Sequence, residues 1–348
     1  MTSLVDWSVA ERSAKALAPQ PPVVSPDYAR AAVLELRQAT DRAAALVAEL
    51  TRLTEPAVTA ATVVTDRPGW IEANVASMST VMDPLTEKLV AGKQPGRLAS
   101  AVGGRVTGTQ AGAVLAFLSG KVLGQYEFFS RQDGQLLLVA PNLVAVERGL
   151  KLDPSDFRLW VCVHEVTHRV QFTAVPWMRQ HMLDEIQALT DALDLDPDAI
   201  RERLKGMLSE LSKAARGQGD GNGLLAALAS PEARAVMDRV TGFMSLIEGH
   251  AEYVMNAVPP QVIPSQPDIE RKFAARRRRG ANPLDRLLRS LLGMDAKTRQ
   301  YTQGSQFVRS VVSQVGLDGF NAIWTSAETL PSKAEITAPA SWVSRVHG

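Results

Sequence analysis

Phe157-Arg-Leu-Trp-Val-Cys-Val-His164-Glu165-Val-Thr-His168-Arg-Val-Gln-Phe172 is the stretch on which the reading of this 348-residue chain turns. It holds the pattern His-Glu-x-x-His inside a strongly apolar run. Two imidazoles four residues apart lie on one face of a helix, a turn from each other, so both can reach a single metal ion with Glu165 beside them. At this chain's composition, an accidental match anywhere in it has a chance of roughly 0.4%. Accident is therefore a poor explanation. Asp153-Pro154-Ser155-Asp156 supplies helix-start chemistry and Pro176 closes the periodic segment, predicting a helix of about four turns around the motif. Leu159, Trp160, Val163, Val166 and Val170 predict that this helix is buried around much of its circumference. Two neighbouring histidines without partners would be costly there, and metal ligation gives their nitrogens a use.

A catalytic zinc takes three protein ligands and keeps a position for water, so a third ligand has to come from elsewhere. The segment Ile247-Glu248-Gly249-His250-Ala251-Glu252-Tyr253-Val254, on a helix predicted from about Pro231 to Val258, offers two. Glu248 and His250 project about 200° apart, so one of them but not both can serve the ion. Glu252, four residues after Glu248, shares its face.

The rest of the composition narrows the chemistry. A single cysteine, Cys162, among 348 residues excludes internal disulfides and cysteine-rich zinc modules, and points to a reducing, cytoplasmic setting. Cys162 itself reads as a small buried apolar residue, about 200° around the helix from His164. Thirty-eight basic residues against 37 acidic ones leave a formal charge of +1, which gives the whole molecule no electrostatic reason to seek nucleic acid. The longest apolar stretch, Ala111 to Leu118, is far shorter than a membrane span. Asp6, Glu11 and Arg12 interrupt what a signal peptide would need as an apolar core.

Aromatic residues are only 5%, and alanine and leucine abound, which predicts a mainly α protein with a small β component, an α+β fold. Asp27 to Leu53 reads as one long amphipathic helix, and Trp70 to Leu89 as a second, with Pro84 a candidate break. Glycines at 104, 108, 112, 120 and 124 would line one side of a helix over 103–124, a pattern for close helix packing. Neither phosphate-loop pattern occurs there. Tyr126 to Phe129 and Gln135 to Ala140, around a turn at Ser130 to Gly134, predict a hairpin. His181 reads as a surface residue and His347 as exposed. The basic run Arg271-Lys272 with Arg276–Arg279 reads as a solvated helix end, with a docking patch for acidic partners or nucleic acid as the alternative.

At this point the sequence resembles the glutamate-type zincins, in which HExxH is followed by ExxxD on a second helix. That resemblance implies Glu248 as the third zinc ligand and Glu252, in place of the usual Asp, as the carboxylate that braces a ligating histidine. His250 remains the alternative ligand. Further segments carry a narrower likeness: Asp6-Trp-Ser-Val-Ala-Glu-Arg, Asp66-Arg-Pro-Gly-Trp70, Gly120-Lys-Val-Leu-Gly-Gln-Tyr126, Val139-Ala-Pro-Asn142 and Trp324-Thr-Ser-Ala-Glu-Thr-Leu-Pro331. With the two motifs they resemble an actinobacterial family of zincin-like hydrolases, or zinc-dependent metalloproteases, in a subgroup associated with biosynthesis of a deazaflavin coenzyme. The resemblance runs over nearly the full chain and implies a zincin-like fold.

The expected organisation is an N-terminal helical region over 1–120, a zincin-like catalytic core over 121–260 and a C-terminal helical region over 261–348, packed as one unit. The expected chemistry is hydrolysis of a peptide amide bond. Zn2+ held by His164, His168 and Glu248 would activate water and polarise the scissile carbonyl, with Glu165 as general base. Tyr301 and Tyr253 are candidates to donate to the developing oxyanion. The expected partner is a peptide or protein substrate, bound by strand addition to an edge supplied by the hairpin around Gln135 to Ala140. A catalytically silent zinc-binding interaction protein, or a hydrolase of a non-peptide amide or ester in coenzyme metabolism, are the alternatives.

Overall fold

The computed structural model describes residues 4–54, 56, 61–90, 97–192, 230–278 and 294–348, with the backbone alone described for 84–90, 97–102, 277–278 and 294–302. Helices dominate, joined by one small mixed sheet, as the composition predicts. In chain order the described elements begin with α1 (Trp7–Leu17), α2 (Pro26–Thr51), β1 (Ala61–Thr65), α3 (Arg67–Val90) and α4 (Arg97–Ser119). The strands β2 (Gly124–Glu127) and β3 (Gln135–Val139) follow, then α5 (Ala140–Leu150), α6 (Pro154–Ala174) and α7 (Trp177–Ala192). After them come α8 (Pro231–Ala257), α9 (Gln266–Arg278), α10 (Met294–Asn321), α11 (Lys333–Thr337) and α12 (Pro339–His347).

Local chemistry sets the ends of the helices that matter. Asp153 caps α6, its carboxylate accepting from the Asp156 backbone N–H at 2.9 Å, with Pro154 in the first turn where no N–H is needed. Ser230 does the same for α8 through Ala233 N–H at 3.0 Å. The helix carrying HExxH runs 21 residues from Pro154 to Ala174, about six turns and not the four expected, because that is the length the Asp153 cap and Pro176 enclose. α3 continues through Pro84, where a break is a candidate in the sequence.

The glycine series divides. Gly108 and Gly112 sit on α4 against α1, with no room for a β-carbon before the backbone of Asp6 or Ala10, which is the close packing their spacing suggests. Helix α4 stops at Ser119, however, and Gly124 opens strand β2.

The sheet order is β1-β3-β2, with β2 antiparallel to β3 and β1 parallel to it. The β2–β3 pair is the predicted hairpin; β1 is an addition, and because it pairs with Gln135–Val139, β3 is an inner strand and not the edge expected there. β3 is buried on both faces. Leu136 and Leu138 join one apolar core with α2, α6 and the C-terminal part of α8, whereas Leu137 and Val139 join another with α1, α3 and α4. A third core gathers α7, the middle of α8, α10 and the C-terminal helices.

Two helices bridge the first and third of these cores. Phe157 through Val170 of α6 lie in the first, and Phe172 in the third. On α8, Phe243, Leu246 and Ile247 lie in the third, and Val254 and Met255 in the first. α8 also crosses α10 at a glycine pair: a β-carbon on Gly249 would fall inside the backbone of Gly304. Buried charge ties the N-terminal part of α6 in place. Arg158 donates through Nε and Nη2 to both carboxylate oxygens of Glu147 at 2.9 and 2.6 Å, and pairs with Glu35. Tyr28 donates to the same Glu147 at 2.6 Å. Among the described residues no helix is long and apolar enough to cross a membrane.

Candidate metal centre

The ligand-bearing faces of α6 and α8 meet between those two cores. His164 and His168, a turn apart on α6, bring their Nε2 atoms to 3.2 Å from each other. From α8, Glu248 Oε2 lies 3.7 Å from His164 Nε2 and 3.6 Å from His168 Nε2. Ligands about 2.0–2.1 Å from a tetrahedral zinc stand roughly 3.3 Å apart, so this triangle has the size that one zinc requires. It is also the one group of three potential metal-binding side chains found among the described residues. The two imidazoles remain 20% and 14% exposed, which leaves the open side of the triangle accessible.

The donor set is two imidazole nitrogens and one carboxylate, with no thiolate, a composition that suits a catalytic zinc better than a closed structural one. Burial pulls the His168 pKa down, but the Glu248 carboxylate, with help from Glu165 and Gln171, more than offsets it. The net position is above the ordinary value, which registers how much negative charge faces this ring.

Glu165, adjacent in sequence to His164, is buried at 7% exposure and lies over the start of β2. A β-carbon at Gly124 would stand 2.6 Å from Glu165 Cγ and 3.0 Å from its Oε1. The glycine is what lets strand and carboxylate approach so closely. Among the described residues β2 pairs only with β3, so it is an edge of the sheet beside the carboxylate.

The outer nitrogens of the two histidines are also engaged. His164 Nδ1 faces the Met255 sulfur at 3.2 Å, and His168 Nδ1 lies 3.0 Å from Gln171 Oε1. Neither Met255 nor Gln171 is among the residues picked out from the sequence. For Gln171 a signal existed: three residues beyond His168, it falls on the same helical face.

His250 lies apart from the triangle. Its ring is fully buried, stacked on Phe320 at 5.5 Å and tilted against Trp324 at 5.1 Å, with Nδ1 3.0 Å from Gln171 Nε2. Burial, reinforced by His168, pushes its pKa down to about 3, so it is neutral. Glu252 is half-buried one turn beyond Glu248. Tyr253 packs partly buried against two of the apolar cores, and Tyr301 falls on α10 where the side chains lie outside the described residues. Cys162 is buried, its thiol pushed up to about 12 by desolvation. His181, expected at the surface, is instead half-buried with its ring edge-on to Trp177 and Phe243, because α7 turns that side toward α8. Of the basic run, Arg276 ends the part whose side chains are described; Arg277 to Arg279 lie outside it.

Residues 5–343 match the sequence model of the family described as zincin-like metallopeptidase. The chain belongs to that family. A search of curated proteins gives no match. Among solved structures, a candidate hydrolase with a novel fold from Chloroflexus aurantiacus is similar over 99% of each chain, at 31% identity and a TM-score of 0.72. A zincin-like chain is expected to bind zinc, and the three side chains that meet between α6 and α8 suit it in number, atom type and spacing.

Proposed function

We propose that this zincin-like protein is a zinc-dependent metallopeptidase that hydrolyses a peptide amide bond, with His164, His168 and Glu248 holding the ion and Glu165 acting as general base. The observation that carries this reading is the His-His-Glu triangle, with Glu165 next in sequence to His164, its charge acting on His168 and its carboxylate against the edge strand β2. A bound zinc would supply Lewis-acid polarisation of the substrate carbonyl and a water of lowered pKa.

The chain's own residues account for the remainder. An extended peptide added along β2 would run past Gly124, bringing a backbone carbonyl close to Glu165. The Glu165 carboxylate takes a proton from the attacking water and delivers it to the departing amide nitrogen. Glu165 is buried but not sealed, so its charge acts in a medium less screening than bulk water. Tyr253 and Tyr301 are the proposed hydroxyl donors toward the carbonyl oxygen, and Glu252 is proposed to brace the ligand set from its place one turn beyond Glu248. The lone, buried thiol of Cys162 supports a cytoplasmic setting.

The test is zinc analysis of the purified protein and of Glu165→Gln and Glu248→Gln, each assayed against a broad peptide library. Wild type is expected to carry stoichiometric zinc and to cleave. Glu248→Gln loses zinc, while Glu165→Gln keeps it and loses about 10²–10⁴-fold in rate. The sequence likeness to a subgroup associated with deazaflavin coenzyme biosynthesis is the reason to include non-peptide amides and esters in the same assay. Zinc-loaded wild type that hydrolyses only those would move the substrate class. Zinc-loaded wild type that hydrolyses nothing would replace the enzyme reading with that of a zinc-binding interaction protein.

A further inference from the structure

Gln171 has no exposed surface, and its amide is engaged at both ends. Nε2 lies 3.0 Å from the backbone carbonyl of Ile247 and 3.0 Å from His250 Nδ1, and Oε1 lies 3.0 Å from His168 Nδ1. These contacts fix every proton in the chain of groups. A carbonyl oxygen can only accept, so the end of the amide facing Ile247 must be the NH2. One of its hydrogens goes to Ile247 and the other to His250, so Nδ1 of His250 accepts and its proton sits on Nε2. Oε1 can then only accept, so His168 Nδ1 must carry a proton and donate. In the neutral ring the lone pair of His168 is therefore on Nε2, the atom that faces His164 and Glu248.

We propose that Gln171 and His250 are positioning residues of the metal site: the Gln171 amide, locked by the Ile247 carbonyl and the His250 ring, keeps the His168 proton on Nδ1 and so presents Nε2 to the ion. The proposal rests on the metal-site reading above. It explains an otherwise awkward feature. With Nδ1 accepting, the Nε2–H of His250 is a buried donor, and among the described residues it has no hydrogen-bond partner. A protein tolerates such a donor where the other face of the ring is needed. The ring cannot turn to relieve it without disturbing Phe320 and Trp324 and withdrawing the acceptor from Gln171. Ile247 is also the residue before Glu248, so the carbonyl that orients the amide and the carboxylate of the triangle move together on α8.

The test combines zinc affinity, read by competition with a chromogenic chelator, with the ring tautomers of wild type, read from 15N shifts of labelled histidine. Gln171→Met, which keeps the shape and removes both ends of the amide, is expected to weaken zinc binding about 10–100-fold. His250→Phe, which removes the acceptor together with the unpartnered Nε2–H and leaves the Gln171 amide in place, is expected to weaken it less. The double variant should bind no more weakly than Gln171→Met alone, since both act through one amide. In wild type, His250 should be protonated on Nε2 with or without zinc. Unchanged zinc affinity in Gln171→Met alongside a loss in Glu248→Gln overturns the proposal and leaves the metal-site reading intact. A His250 proton on Nδ1 also overturns it, even if neither variant folds. Failure of wild type to bind zinc overturns both.

Discussion

Gly124 lies against the carboxylate of Glu165, close enough that a β-carbon at 124 would stand 2.7 Å from Glu165 Cδ. The obstacle is the far part of a flexible side chain, so Gly124→Ala should fold with Glu165 displaced. The expected result is unchanged zinc content with hydrolysis reduced by at least about tenfold, since general-base catalysis depends on placement at hydrogen-bond range. Metal analysis beside a kinetic assay separates this from loss of the site.

Zinc binding should be pH-dependent in a stated direction. Zinc needs His168 unprotonated at Nε2, and Glu248 holds the pKa of His168 above its ordinary value in the metal-free protein. Apparent zinc affinity should therefore rise with pH until the raised pKa is passed, by up to about tenfold per unit for one released proton. The metal-free stability goes the other way. The His168–Glu248 attraction contributes fully below the unfolded histidine pKa and is lost as pH rises through the raised one. Chelator competition for zinc from pH 5 to 8 checks the first sign, and unfolding of metal-free wild type and Glu248→Gln over the same range checks the second.

His250 titrates in the opposite sense. Its folded pKa is about 3, far below the unfolded value, so the neutral ring contributes stability present above the unfolded pKa and lost as pH falls toward the folded one. Metal-free wild type should lose stability with acid more steeply than His250→Phe, by up to about 1.4 kcal/mol per pH unit. Urea titrations over that range give the slopes.

Arg158→Met should cost about 3–5 kcal/mol, because it strands the buried Glu147 carboxylate without its partner. Adding Glu147→Leu should recover much of that loss. Equilibrium denaturation of the single and double variants decides it.

The site and the architecture were not equally legible in the sequence. HExxH and its helix could be placed from local spacing, because a four-residue separation on a helix is a geometric statement by itself. The hairpin was also local, with its turn between its strands. β1 was not, since Ala61–Thr65 becomes a strand by pairing in parallel with Gln135–Val139, a partner no nearby residue announces. Choosing between Glu248 and His250 needed either a family likeness or the fold itself, which turns Glu248 toward the histidines and His250 toward Phe320 and Trp324. Gln171 stands within the motif stretch itself. Its amide acquires its partners only when α8 arrives, and a glutamine on a helix face is otherwise unremarkable.

The arrival of α8 makes the centre all-or-none. A slip of that helix by one residue turns it by about 100°, and Glu248, the Ile247 carbonyl and the His250 ring would all leave together. What remains on α6 is a bare pair of imidazoles, a weak and unselective chelate. Misregistered chains would forfeit the three-sided ligand set, so a bound ion would favour the aligned helix.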